Sequence, residues 1–462
     1  MILVSSGCGR GTNRSATSTT MPGRSSVPGA TGAATTSSAT PSAENGWWTY
    51  SHDGARSGAT ADGPASPASI QRRWVSPALD GDLYAQPLVV GDRVVAATEN
   101  DTVYVLNAAT GAITWSTHLG EPVAGASLPC GNVNPVGITS TPVIDVTAGR
   151  LYAASMVQPG EHMLFVLDLS TGRVIDSKVI DAPHADPTTH NQRGALALSG
   201  GKVLVPFGGR FGDCGTYHGQ LVAVPITATG LGAPAAFTLP TVREGGFWNP
   251  AGAVTDAEGN IYLASGNSAG GAAYDYGNSV IRLGADLKLG DSFAPTNWAE
   301  LNAGDTDLGS TGPVLLAGHQ LFQIGKAGVG YLLDTGHLGG VGRALFQDKV
   351  CGSAFGAAAQ LDSTVFVPCS SGVAAVTVRG GRFSTRWTAD LATPGPTIVT
   401  PGAVWCIATD TGDLVALNID TGKQLFRTHI GSIPSRFVTP AAGNRQIVVA
   451  ADRTVMAFGN SL

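Results

Sequence analysis

The chain has 462 residues, 43% of them hydrophobic and 13% charged, which is enough apolar side chain for a large core and too little charge for a disordered polyelectrolyte. A net charge of −6 and a pI near 5.8 leave no basic stripe to neutralise phosphates, which excludes nucleic acid as a partner, and no run of roughly 18 apolar residues offers a membrane-spanning helix. With 63 glycines, 27 prolines and no long apolar stripes at helical spacing, the composition predicts an all-β chain of short strands and tight turns.

The first residues, MILVSSGCGRG, place a short apolar stretch and small residues before Cys8. The arrangement resembles the end of a bacterial lipoprotein signal, which implies an acylated Cys8. Ser5 stands where that pattern has leucine, and no basic segment precedes the apolar stretch. An unstructured terminus with an incidental cysteine is the competing reading. Residues 9 to 45 are Ser, Thr, Gly, Ala and Pro with few apolar side chains, so they are expected to form a flexible tether, with the folded domain running from 46 to 462. The expectation is a monomer outside the cytoplasm, secreted or on the cell envelope, touching the membrane only through a lipid anchor.

Beyond the tether, VYVLNAATGAITW (103 to 115) is echoed by LFVLDLSTGRVID (164 to 176) and LVALNIDTGKQLF (414 to 426), and more weakly at 280 to 292 and 373 to 387. Two further strand-like runs precede each echo, as in QPLVVGDRVVAAT, so the repeating unit is four short strands, a propeller blade. Asn107, Asp168 and Asn418 can bond the backbone two residues on, and Gly111, Gly172 and Gly422 accept the positive φ of such hairpins. Units fall near 86 to 120, 139 to 180, 191 to 240, 248 to 298, 308 to 350, 353 to 391 and 395 to 430. The eighth, 436 to 459, lacks a fourth strand, while IQRRWVSPAL (70 to 79) is a strand without a sheet. Pairing the two closes an eight-bladed β-propeller of four-stranded antiparallel blades and removes its open edges.

The pattern Ala-x-Asp-x-x-Thr-Gly-x-x-x-Trp resembles the repeat of the pyrroloquinoline-quinone (PQQ) propeller superfamily. Val105, Asn107, Thr110, Gly111 and Trp115 fill the first repeat; Ala416, Asn418, Thr421, Gly422 and Phe426 fill the seventh. WWTYSHDGARSG (47 to 58) is similar to that family's opening segment, and the resemblance covers about residues 46 to 462. In the second unit Asp176 stands where the family has tryptophan, which implies an incomplete tryptophan belt.

In a propeller, the loops entering a blade and those joining its second and third strands emerge on one face. That placement favours the pairs Cys130–Cys214 and Cys351–Cys369, with Cys406 a small buried apolar residue. The same face gathers loops from every blade over a central channel.

The resemblance implies PQQ and Ca²⁺ there. Trp248 matches the tryptophan beneath the quinone, Asn267 a metal-binding asparagine, and Asp305 and Asp307 the segment carrying the base, with Asp305 chosen for that role. Lys326 stands where the family has a basic group on the quinone, and Arg193 is a further candidate contact. Asp213 lies one position from the family's metal-binding glutamate, which would make Asp213, Asn267 and Asp305 the metal ligands. Each has an ordinary reading beside this one: a tryptophan filling the channel wall, an asparagine in a turn, solvated loop aspartates and a surface lysine. No two cysteines are neighbours, unlike the pair the family places near its cofactor.

Three functions remain open at this point. One is an exported quinoprotein-like dehydrogenase acting on an alcohol or sugar. Another is a non-catalytic surface propeller that engages a protein partner, comparable to outer-membrane assembly lipoproteins. A glycan-binding or lyase propeller, suggested only by loop Arg and His residues, is a third.

Overall fold

The computed structural model describes residues 46–182 and 185–461; Cys8 and the expected tether lie outside the described residues. Eight antiparallel sheets follow one another as propeller blades, spanning 88–118, 143–179, 190–238, 254–294, 314–349, 359–390 and 398–429 for blades 1 to 7. Blade 8 takes Ala441–Gly443, Gln446–Ala451 and Thr454–Gly459, and its outer strand is Gln71–Val75, antiparallel to Thr454–Gly459 with Gln71 opposite Gly459. The expected closure is therefore present, and it leaves neither chain end as an open edge.

Two blades depart from the four-strand plan. In blade 3, His190–Asn191 and Ala197–Ser199 share the partner Lys202–Gly209, and blade 4 gains Gly340–Val341, parallel to Leu289–Ala294. A six-residue helix, Trp298–Ala303, carries the chain from blade 4 to blade 5.

Burial follows from the ring. Inner and middle strands such as Leu88–Val90 and Thr102–Asn107 are buried almost throughout because neighbouring blades cover both faces of each sheet. The outer strand Ile113–His118 keeps only partial burial. The turn before it is built as its sequence suggests: Asn107 Oδ1 accepts the N–H groups of Ala109 and Thr110 at 3.0 and 3.1 Å, and Gly111 takes φ +73°.

Gly111 has a second reason to lack a side chain, since a Cβ there would strike the indole of Trp74 from blade 8. Trp74 Nε1 donates to Ala108 O at 2.8 Å, pinning the outer strand of blade 8 to the turn of blade 1. Trp115 does the same to Leu169 O in blade 2 (3.2 Å), and Trp387 to Ile419 O in blade 7 (3.0 Å). The belt lacks tryptophan after blade 2, as expected, yet that seam is pinned as well: Asp176 accepts the Leu231 N–H of blade 3 at 2.8 Å. Asp291 of blade 4 likewise accepts the Leu338 N–H of blade 5 at 2.7 Å.

Residues 46–63 plug the channel from the face opposite the entering loops. Trp47 bridges Val89, Ala59 bridges Val399, and buried Arg56 donates to Tyr50 O, Leu196 O and Ala253 O. With blades 1, 3, 4 and 7 all engaged, the channel is closed at one end and forms a cup.

Candidate functional site

The open end of the cup is a cavity of about 610 Å³. Trp248, Asn267, Asp305, Lys326, Arg193 and Asp213 all line it, from loops of blades 3, 4 and 5. The topology predicts this, because each comes from a loop entering a blade or from one joining second and third strands.

The indole of Trp248 forms one wall. Gly266, beside Asn267, packs so close that a Cβ would crowd both Trp248 Nε1 and the Asp307 carboxylate. The Phe437 ring stands edge-on to the indole, centroids 6.1 Å apart, and Arg193 lies 5.9 Å from the Trp248 centroid and 5.0 Å from that of Phe437. Lys326 Nζ is 5.8 Å from the indole centroid, so two cations flank the ring. Burial pulls the Arg193 guanidinium below its ordinary pKa, and among the described residues its side chain makes no hydrogen bond or ion pair. Arg436 is similar: it stacks on Phe355 at 3.8 Å and its buried Nε has no partner.

The acidic side of the cavity is organised around Lys326. Its ammonium meets Asp305 Oδ1 at 2.8 Å, Asp307 Oδ2 at 2.6 Å and Asp305 O at 3.0 Å. Burial disfavours that charge, but the Asp307 and Asp305 carboxylates outweigh it and hold the lysine above its ordinary value. Asp307 is buried and its Oδ1 accepts the Asn267 N–H at 2.6 Å, whereas the Asp305 side chain is 71% exposed on a left-handed backbone of φ +47°. Burial pushes the Asp307 carboxyl upward while Lys326 opposes it.

The remaining acids are also partnered. Asp213 accepts the Tyr217 hydroxyl at 2.5 Å at the rim; Glu244, buried, meets Arg243 at 2.5 Å and accepts Asn267 Nδ2 at 3.4 Å. Among the described residues no three His, Cys, Asp or Glu side chains are spaced to hold a metal ion. The site thus collects the sequence candidates in one cavity, with the Asp213 carboxylate directed to the Tyr217 hydroxyl and the Asp305 carboxylate to Lys326.

Both expected disulfides form. Cys130–Cys214 joins the loop entering blade 2 to the rim loop of blade 3, Cys351–Cys369 staples blade 6, and Cys406 is free and buried. Reading the sequence did not single out Arg436, Phe437, Phe355 or Tyr217, which line the same cavity. The available signal was positional: Phe437 is an aromatic residue in the loop entering blade 8, as Trp248 is in the loop entering blade 4.

The family model described as outer membrane protein assembly factor BamB, a PQQ-repeat model, matches residues 51–285 and 363–460. The chain belongs to this PQQ-repeat β-propeller family. Polyvinylalcohol dehydrogenase of Sphingopyxis sp. (strain 113P3) is 26% identical over 266 residues, covering 52% of this chain and 38% of that protein. The chain therefore spans well under half of that relative's length. Among solved structures, quinohemoprotein alcohol dehydrogenase ADHIIG from Pseudomonas putida HK5 superposes with a TM-score of 0.67 at 15% identity, covering 90% of this chain and 80% of that one. BamB from Moraxella catarrhalis gives 0.55 at 14% identity, covering 84% and 97%. At these identities the two structures show a shared β-propeller fold.

Proposed function

We propose that the cavity binds an anionic planar cofactor of the PQQ class against Trp248 and that an alcohol or sugar is oxidised beside it. The observation that carries this reading is a half-buried indole face flanked by two cations, with the Arg193 and Arg436 side chains making no hydrogen bond or ion pair among the described residues. Unpaired guanidinium groups on aromatic rings suit carboxylates on a flat ligand. A bound quinone supplies the hydride acceptor. The chain's own part is to stack the ring on Trp248, neutralise its acidic groups with Arg193 and Arg436, and hold Asp305 through Lys326. Asp305, facing the open cavity, takes the proton of the substrate hydroxyl as the carbinol hydride departs, leaving a carbonyl product.

A calcium ion would need Asp213, Asn267 and Asp305 to converge on one point. Asp213 is directed to Tyr217 and Asp305 to Lys326, so the donors do not fit that ion and no step runs through it. The two disulfides agree with an oxidising compartment outside the cytoplasm.

The test is to mix the purified full chain with PQQ, pass it through a desalting column and read the quinone absorbance that stays with protein. Retention is expected, weakened about tenfold or more in Trp248→Ala, which removes the stacking face. A parent chain that retains none overturns this reading. The family match to an assembly factor would then favour the second one, a propeller that engages a protein partner.

A further inference from the structure

Trp248 gives the cavity a stacking wall, and one large apolar side chain on the cavity rim stands in water. Phe211 lines the mouth yet is 66% exposed. A phenyl ring in water forgoes the stabilisation that burial would give, and this one stands where a ligand in the cavity could bury it. The backbone around it is fixed at both ends. On one side, buried Arg210 donates from Nε to Thr188 O at 2.5 Å and from a terminal nitrogen to Met156 Sδ at 2.8 Å. On the other, Cys214 is tied to Cys130. Between these anchors lie only Phe211, Gly212 and Asp213. Gly212 and Asp213 have φ of +98° and +49°, and Asp213 is held through its N–H to Arg210 O and its carboxylate to Tyr217. A span this short and this well tied does not swing as a loop. What can move is the Phe211 side chain, by rotation about χ1.

We propose that Phe211 is the cover of the cavity, its ring turning from solvent onto the exposed face of a flat ligand stacked on Trp248. The inference rests on the quinone reading above and adds the residue that closes the site. Aromatic cover slows escape of the ligand without contributing to the chemistry, and it shields the Asp305 carboxylate from bulk water once the ligand is in place.

The experiment measures release of quinone from loaded protein after dilution into excess apo parent chain that carries a distinguishing tag. Phe211→Ala should release about tenfold faster than the parent, Phe211→Tyr close to the parent rate, and Phe211→Leu in between. Thermal stability should be unchanged in all three, because the side chain is exposed. If the parent retains quinone and Phe211→Ala releases it at the parent rate, the cover is refuted while the ligand reading stands. If the parent retains none, both fail together. A Phe211→Ala effect reproduced in full by Phe211→Tyr would also overturn the inference, since the ring would then be irrelevant.

Discussion

The seams between blades 8 and 1, 1 and 2, and 6 and 7 are closed by tryptophan, whereas those between 2 and 3 and between 4 and 5 are closed by aspartate. The two devices occupy the same place on the outer strand and reverse the hydrogen bond. Trp74, Trp115 and Trp387 donate an indole N–H to a carbonyl of the next blade's turn; Asp176 and Asp291 accept a backbone N–H from it. The tryptophan seam also buries a large apolar face over a glycine, Gly111 under Trp74 and Gly422 under Trp387, while the aspartate seam relies on a charge-assisted hydrogen bond near solvent. A repeat can therefore lose its most visible residue and keep its geometry, provided the replacement satisfies one backbone group of the neighbour. What it gives up is buried area.

That difference sets the largest expected effect. Trp74→Ala removes a nearly buried indole from the seam that joins the two ends of the ring, and should lower unfolding free energy by roughly 3–5 kcal/mol in urea titration. A cost no larger than that of Asp176→Ala would mean that the indoles contribute no more than their single hydrogen bond.

How much of this was legible in the sequence follows the same division. The Thr110-Gly111…Trp115 repeat and the unpaired segment at 70–79 were enough to place eight blades and their closure, because turn chemistry and strand alternation are local. Asp176 read as a gap in the belt, since a motif scores the side chain while the seam asks for an acceptor within reach of Leu231 N–H. The plug was named as a segment but not as a plug: Arg56 finds its carbonyl partners in blades 3 and 4, far along the chain, and no periodicity announces that. Within the cavity, topology brought Trp248, Asn267, Asp305 and Lys326 together as expected. It could not say that Asp307 is the buried member of its pair, or that Asp213 turns to Tyr217, because these depend on left-handed loop residues such as Asp213 and Asp305.

The seam between blades 1 and 2 sharpens the comparison, because it carries Trp115 at one end and buried acids at the other. Glu99 accepts Gly137 N–H at 2.8 Å and Thr139 Oγ–H at 3.0 Å; Asp101 accepts the Ser155 hydroxyl. Burial pushes Glu99 up to about 7 and Asp101 to about 8, with Asp80, Asp82 and Glu121 nearby adding to the effect and Arg193 opposing it at Glu99. Their folded values lie above the ordinary 4.5 and 3.8, so the stability they contribute is fully present below those ordinary values and is lost as pH rises from there through the folded values of about 7 and 8. Glu99→Gln keeps both acceptor contacts and cannot ionise. Relative to the parent, it should remove on the order of 1–3 kcal/mol of the stability loss between pH 5 and 8.5. Parallel pH profiles for the two proteins would show that Glu99 is already ionised in the fold.

The aspartate seam should behave in the opposite sense and more weakly. The Leu231 N–H holds the Asp176 carboxyl below its ordinary value, so its contribution is present above about pH 4 and fades as pH falls through the folded pKa. Asp176→Ala strands that N–H at the start of the blade 3 turn and should cost about 1 kcal/mol at pH 7, measured by urea titration. Asp176→Asn retains an oxygen acceptor but no charge; it should sit close to the parent at pH 7 and lose less stability than the parent between pH 5 and 3. The same acid step should leave the difference between Trp115→Ala and the parent unchanged, because nothing in that pin titrates. If acid instead erased the Trp115 difference and spared that of Asp176, the two seams would have exchanged the roles their hydrogen bonds assign them.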